Sequence, residues 1–149
     1  MQKVTKPLSD NLKSLIRHIY PGLLCGIIIM VLISLPGSCF PRTSSYWIFV
    51  RPDKMVHGIM FAVFTFSIIW GYRHEYCEKD KHYRITLQLI TFSIAVFYAG
   101  LTEVIQIFIP YREGNWGDFL ADVIGCVLGI CIFKLIFIKK MIKKSSPIQ

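Results

Sequence analysis

Charge is what this chain has least of. Asp, Glu, Lys and Arg make up 17% of its 149 residues, against about 25% in an ordinary soluble domain. With 54% of the residues hydrophobic and a mean hydropathy of +0.51, the composition excludes a disordered chain and is a poor fit to a soluble enzyme. Period-two alternation of apolar and polar residues is missing, which argues against a transmembrane barrel. Zinc-type spacing is missing among Cys25, Cys39, Cys77, Cys126 and Cys131, so these read as small packing residues rather than as disulfides or metal ligands. No H-E-x-x-H, G-x-S-x-G or phosphate-loop motif occurs, and no motif points to nucleic acid.

What the chain has instead is four apolar runs, over residues 19–41, 55–72, 85–111 and 119–138. Each is about the length a helix needs to cross ~30 Å of hydrocarbon. Helices are what lipid permits, because every backbone group must be satisfied within the segment. Pro36 cuts the first run short. Pro21 is expected in the first turn of that helix, where proline loses no hydrogen bond. A cleaved signal sequence is the weaker alternative: Leu35 stands one place too far from Cys39 for a lipoprotein site. The expected fold is all-α, a polytopic bundle of four transmembrane helices. Its parts are an N-terminal segment 1–18, a membrane domain 19–138 and a basic tail 139–149, frayed over 141–149.

The scarce charge is also lopsided, 17 Lys and Arg against nine acids. Before the first run, between the second and third, and at or beyond the end of the fourth lie 13 of the 17 basic residues; Arg42, Arg51, Lys54 and Arg112 are the other four. Basic residues gather on the cytoplasmic side, so both termini are expected in the cytoplasm, with the tail against anionic headgroups. His18, His74 and His82 then read as solvated residues of that side.

That orientation sends the remaining polar residues to the outer end. Asp53, Lys54 and His57 open the second helix, Glu103 and Gln106 close the third, Arg112 follows in a loop, and Asp118 and Asp122 open the fourth. Asp53 and His57 share a helix face, as do Asp118 and Asp122, and Glu103 and Gln106. At ~1.5 Å per residue, His57 lies about 6 Å deeper than Asp53, and Glu103 about 10 Å in from Pro110. A charge in hydrocarbon costs about 3 kcal/mol or more and normally faces a bundle interior or a wet cavity, so these eight residues are candidates for one polar pocket. Asp53 and Lys54 also fit interfacial anchors, Asp118 a helix N-cap, and His57 an interhelical hydrogen bonder. Glu103 and Asp122 are harder to explain that way, because each interrupts an apolar run. Ala121, Gly125 and Gly129 form a stripe that lets a neighbouring helix approach closely. His57, Glu103, Asp118 and Asp122 are legitimate metal ligands, but nothing in their spacing demands an ion. The reading assigns neither metal nor cofactor.

Asp53-Lys54-x-x-His57, then Glu103-x-x-Gln106, Arg112, and Asp118-x-x-x-Asp122-x-x-Gly125-x-x-x-Gly129 together resemble the pattern of the VanZ-like family. The resemblance covers about residues 20–138. Many members carry Asn where this chain has Asp122, so this chain places a carboxyl group there. The family is named for an accessory protein of glycopeptide-resistance clusters that lowers susceptibility to teicoplanin. The resemblance implies a multi-pass protein of the bacterial cytoplasmic membrane, linked to the cell envelope or to teicoplanin response. The favoured expectation is a non-enzymatic protein whose outward pocket binds a lipid-linked envelope component, with membrane lipids as its other partners. The alternative is a membrane-embedded enzyme acting on such a lipid, with His57 or Glu103 as general acid/base. A proton-coupled transporter is a weaker third. The sequence does not fix the oligomeric state.

Overall fold

A computed structural model describes the backbone over residues 8–35, 52–110 and 114–145, and side chains over 12–35, 53–110 and 114–137. Its described residues form five helices and no strand: α1 (Leu8–Ser34), α2 (Pro52–Gly71), α3 (Arg73–Glu78), α4 (Lys81–Gln106) and α5 (Trp116–Ser145). Four of them, all but α3, contain stretches long and apolar enough to span a membrane: Leu12–Ser34, Asp53–Gly71, Lys81–Gln106 and Trp116–Phe137. Their outward sides agree with that. Leu23, Ile27, Ile59, Ile94, Leu128 and Leu135 are all exposed, which in water would be an aggregating surface and in lipid is the required one. The chain is a multi-pass membrane protein.

Several boundaries differ from those expected. The first helix begins at Leu8, so part of the segment 1–18 is helical and Pro21 lies inside α1 rather than in its first turn. Proline there removes one backbone hydrogen bond and crowds the preceding turn, which membrane helices tolerate when neighbours re-satisfy the freed carbonyl. At the other end α5 continues to Ser145, so the stretch 141–145 is helix rather than frayed. Lys and Met are good helix formers, and the first residue that opposes helix is the one before Pro147. The third run shortens instead. After Gln106 the bonds Phe108 N–H to Ile105 O (3.0 Å) and Ile109 N–H to Gln106 O (3.1 Å) turn the chain, and Pro110 disfavours helix at the residue before it. Glu103 is therefore one turn from the end of α4.

α2 is the centre of the bundle, packed most extensively on α5 and also on α1 and α4. It runs antiparallel to α1, with Gly26 against Phe64 and Gly22 against Ile68. It runs parallel to α5, with Gly58 and Ala62 against Gly125 and Gly129. A Cβ on Gly125 would overlap the Gly58 carbonyl, and one on Gly129 the Ala62 carbonyl. The stripe on α5 thus faces α2 at backbone-to-backbone range, where even one methyl group has no space. α4 closes the bundle antiparallel to α2: Tyr98 packs on Phe61 and Phe64, and its hydroxyl donates to the Gly26 carbonyl of α1 at 2.7 Å.

The packed interior has two parts. Ile29, Ile33, Phe61, Phe64, Ala95, Ala99 and Cys126 fill the middle. Ile69, Tyr76, Cys77, Phe133 and Phe137 fill the end where α3 lies. The sequence pattern did not reveal α3, which tucks Tyr76 into the bundle beneath Arg84. The Arg84 guanidinium donates to the carbonyls of Tyr76 (2.9 Å) and Lys79 (3.0 Å), and Gln88 donates to the Tyr76 hydroxyl. Burial holds that phenol above its usual pKa. Along α1, α2 and α4 an apolar groove of about 830 Å³ opens on the outward surface of the bundle, lined by side chains that include Leu23, Ile27, Phe64, Ile68, Ile90 and Ile94. It lies below the polar end of the bundle and toward the α3 end.

Candidate functional site

The opposite end is built from the start of α2, the end of α4 and the start of α5. Asn115 starts it. Its carbonyl accepts the amide protons of Asp118 (2.9 Å) and Phe119 (3.1 Å), and its side-chain oxygen accepts that of Gly117 at 2.8 Å. Asn115 is therefore the N-cap of α5, the role that stood as the structural alternative for Asp118. The Asn115 amide itself donates to Glu103 Oε2 at 2.8 Å, which ties the end of α4 to the start of α5. With its N-cap duty taken by Asn115, Asp118 accepts instead from the Lys54 ammonium at 2.8 Å.

One turn deeper the pattern repeats with different chemistry. His57 Nδ1 lies 3.1 Å from Asp122 Oδ1 and 3.9 Å from Glu103 Oε1. The two rungs, Lys54–Asp118 and His57–Asp122, follow from one fact: α2 and α5 are parallel, so residues three apart on one meet residues four apart on the other. The outer rung is half-exposed at Lys54. The inner rung is buried, with Asp122 at 0% and His57 at 3% exposure.

The inner rung is also unbalanced. One imidazolium can neutralise one carboxylate, yet two face it. Among the described residues no other cation lies within salt-bridge distance of Glu103 or Asp122. Glu103 Oε1 and Asp122 Oδ2 are buried without a hydrogen-bond partner, and so is the Gln106 amide nitrogen. Buried polar groups are nearly always paired, and an exception calls for an explanation. The neighbouring hydroxyls illustrate the rule: Thr65 donates to the Phe61 carbonyl (2.8 Å) and Thr102 to the Ala99 carbonyl (2.7 Å).

Of the eight residues expected to share a pocket, the structure brings His57, Glu103 and Asp122 into one cluster and sets Lys54 with Asp118 above it. Asp53 is exposed on the first turn of α2 and joins none of these hydrogen bonds. Gln106 is buried one turn beyond Glu103. Arg112 lies outside the described residues. Two contributors were missed by reading the sequence. Asn115 carries a capping signal, an Asn just before an apolar run. Gly58 and Ala62 are a small-residue pair four apart on α2, the counterpart of the stripe on α5.

A family model described as VanZ/LLP1 matches residues 23–138 of the chain. No curated protein and no solved structure matches it.

Proposed function

The chain belongs to the VanZ/LLP1 family, and from that premise we propose that it acts in the bacterial cell envelope, binding a lipid-linked envelope component at the outer face of the cytoplasmic membrane. The observation that carries this reading is the convergence of His57, Glu103 and Asp122 from three helices. They meet at the end of the bundle away from Arg17, Arg73, Lys79, Lys81 and Arg84. Basic residues favour the cytoplasmic side, so the cluster faces outward and both termini face inward. A buried group of acids with an imidazole suits sugar hydroxyls and amines. Lys54 is engaged by Asp118, so a headgroup phosphate falls to Arg51 and Arg112, which the sequence places in loops at the same end. No nucleophile motif accompanies these groups, and binding is favoured over catalysis.

The test is expression in a sensitive Gram-positive host. The native chain should lower susceptibility to teicoplanin or change the profile of envelope glycolipids. Glu103→Gln, at matched membrane abundance, should do neither. Indistinguishable native, variant and empty-vector strains would remove the envelope reading. A phenotype that survives both Glu103→Gln and His57→Ala would move the functional site away from the cluster. In chains whose five native cysteines have been replaced, an impermeant thiol reagent applied to intact cells should label Ser44→Cys and spare Ser146→Cys.

A further inference from the structure

We propose that His57, Glu103 and Asp122 form a site for one divalent metal ion of the zinc type. The sequence spacing called for no metal. The three-dimensional arrangement does, on three grounds that do not depend on the envelope reading.

The first is distance. One ligand atom from each residue lies within 4.8 Å of the other two, and the two His57 separations are 3.1 Å and 3.9 Å. Around a tetrahedral ion with bonds of ~2.0–2.1 Å, ligand atoms are about 3.3 Å apart. The two His57 distances bracket that value, while the Glu103 and Asp122 ligand atoms, within 4.8 Å of one another, must draw together by up to about 1.5 Å to close the set on an ion.

The second is unmet need. Glu103 Oε1 and Asp122 Oδ2 are buried oxygens with no donor, and Glu103 and Asp122 are 9% and 0% exposed. A cation supplies what these acceptors lack. Its two positive charges match two carboxylates beside a neutral imidazole, which ends the imbalance of the inner rung. Binding releases the proton that His57 Nδ1 otherwise shares with Asp122.

The third is the support around the donors. Glu103 Oε2 is fixed by the Asn115 amide at 2.8 Å, leaving Oε1 turned to the cluster. Such outer partners orient metal ligands. The helices that carry His57 and Asp122 are held at backbone contact through Gly58 and Gly125, so the chelate is set by the bundle and not by loops. One nitrogen and two carboxylate donors suit zinc better than magnesium, which prefers an all-oxygen octahedron with several waters. Three protein ligands leave a coordination position open to water or a ligand.

The experiment uses full-length protein in detergent, purified without a polyhistidine tag, stripped with chelator and titrated with Zn²⁺ by calorimetry. The expected result is one Zn²⁺ per chain. Asp122→Asn and Glu103→Gln should each weaken binding tenfold or more, while Glu75→Gln at the far end leaves it unchanged. A chain with His18, His74 and His82 all replaced by Gln retains His57 as its only imidazole and should bind as the native protein does. Each variant is compared only where it elutes as folded protein, and the native and single-histidine chains decide the matter if the site variants aggregate. Failure of the folded native chain to bind stoichiometric Zn²⁺ overturns the proposal. So does undiminished binding in both site variants, or loss of binding in the single-histidine chain. The teicoplanin phenotype enters none of these readouts, so the two proposals fail separately.

Discussion

Each end of the bundle holds a histidine paired with a carboxylate whose second oxygen is buried without a partner, and the two pairs differ in burial and in what surrounds them. At one end His18 Nε2 meets Glu75 at 2.8 Å, and its ring stacks on Tyr72 at 5.0 Å. The pair straps α1 to α3, with side chains 18% and 32% exposed. At the other end His57 meets Asp122 at 3.1 Å, with side chains 4% and 0% exposed, and a second carboxylate stands opposite. Near-equal distances thus conceal different physics. A half-exposed ion pair is worth about 1 kcal/mol or less. Removing one partner of a buried pair leaves an uncompensated charge and costs about 3–5 kcal/mol. The His18 pair is a structural strap, whereas the His57 cluster sets two buried carboxyl groups against one imidazole.

The comparison breaks most completely if the support of the inner cluster is removed. Gly125→Leu drives a side chain into the Gly58 backbone and should abolish most folded protein in detergent. Leu128→Ala, at an exposed position of the same helix, should leave the yield near native. Similar yields, judged by size-exclusion elution, would mean that the small-residue stripe does not set the α2–α5 distance.

The next effect separates the two histidines directly. His57→Ala should lower unfolding free energy by about 3 kcal/mol or more, because Glu103 and Asp122 then face each other buried without a cation. His18→Ala should cost about 1 kcal/mol or less. Denaturant unfolding of both variants in one detergent reads the difference, and equal losses would erase the distinction between the two ends.

The smallest effect tests where the boundary of the cluster lies. Lys54→Met removes the outer rung, half-exposed and one turn above His57. Its cost should be about 1–2 kcal/mol, because Lys54 is partly solvated but the Asp118 carboxyl left behind is buried, and the order Gly125, His57, Lys54 should hold. A Lys54→Met loss as large as that of His57→Ala would join the two rungs into a single network.

Much of this was legible in the sequence. The apolar runs marked every membrane span, Pro36 marked the end of α1, and the six charged or imidazole residues of the two rungs and of Glu103 and Asp53 were already placed at one end. The pairing within that end was not. Asp118 and Asp122 lie on one face of α5, and nothing in their spacing told which partner each takes, yet one answers Lys54 and the other His57. His18 read as solvated and instead finds Glu75, 57 residues away. Asn115 rather than Asp118 caps α5, and α3 was hidden in what looked like a charged loop.

The sequence by itself determined that this chain crosses a membrane on helices and which end of the bundle is acidic. Hydrocarbon thickness and backbone satisfaction act on each segment separately, and so leave their mark in local composition. The tertiary structure alone decided that His57, Glu103 and Asp122 meet. Which residues meet across helices depends on the rotation and depth of one helix against another, and these are set by the backbone contact of Gly58 with Gly125 and by the Asn115 bond to Glu103. Those contacts join residues 67 and 12 positions apart, beyond the reach of any local pattern.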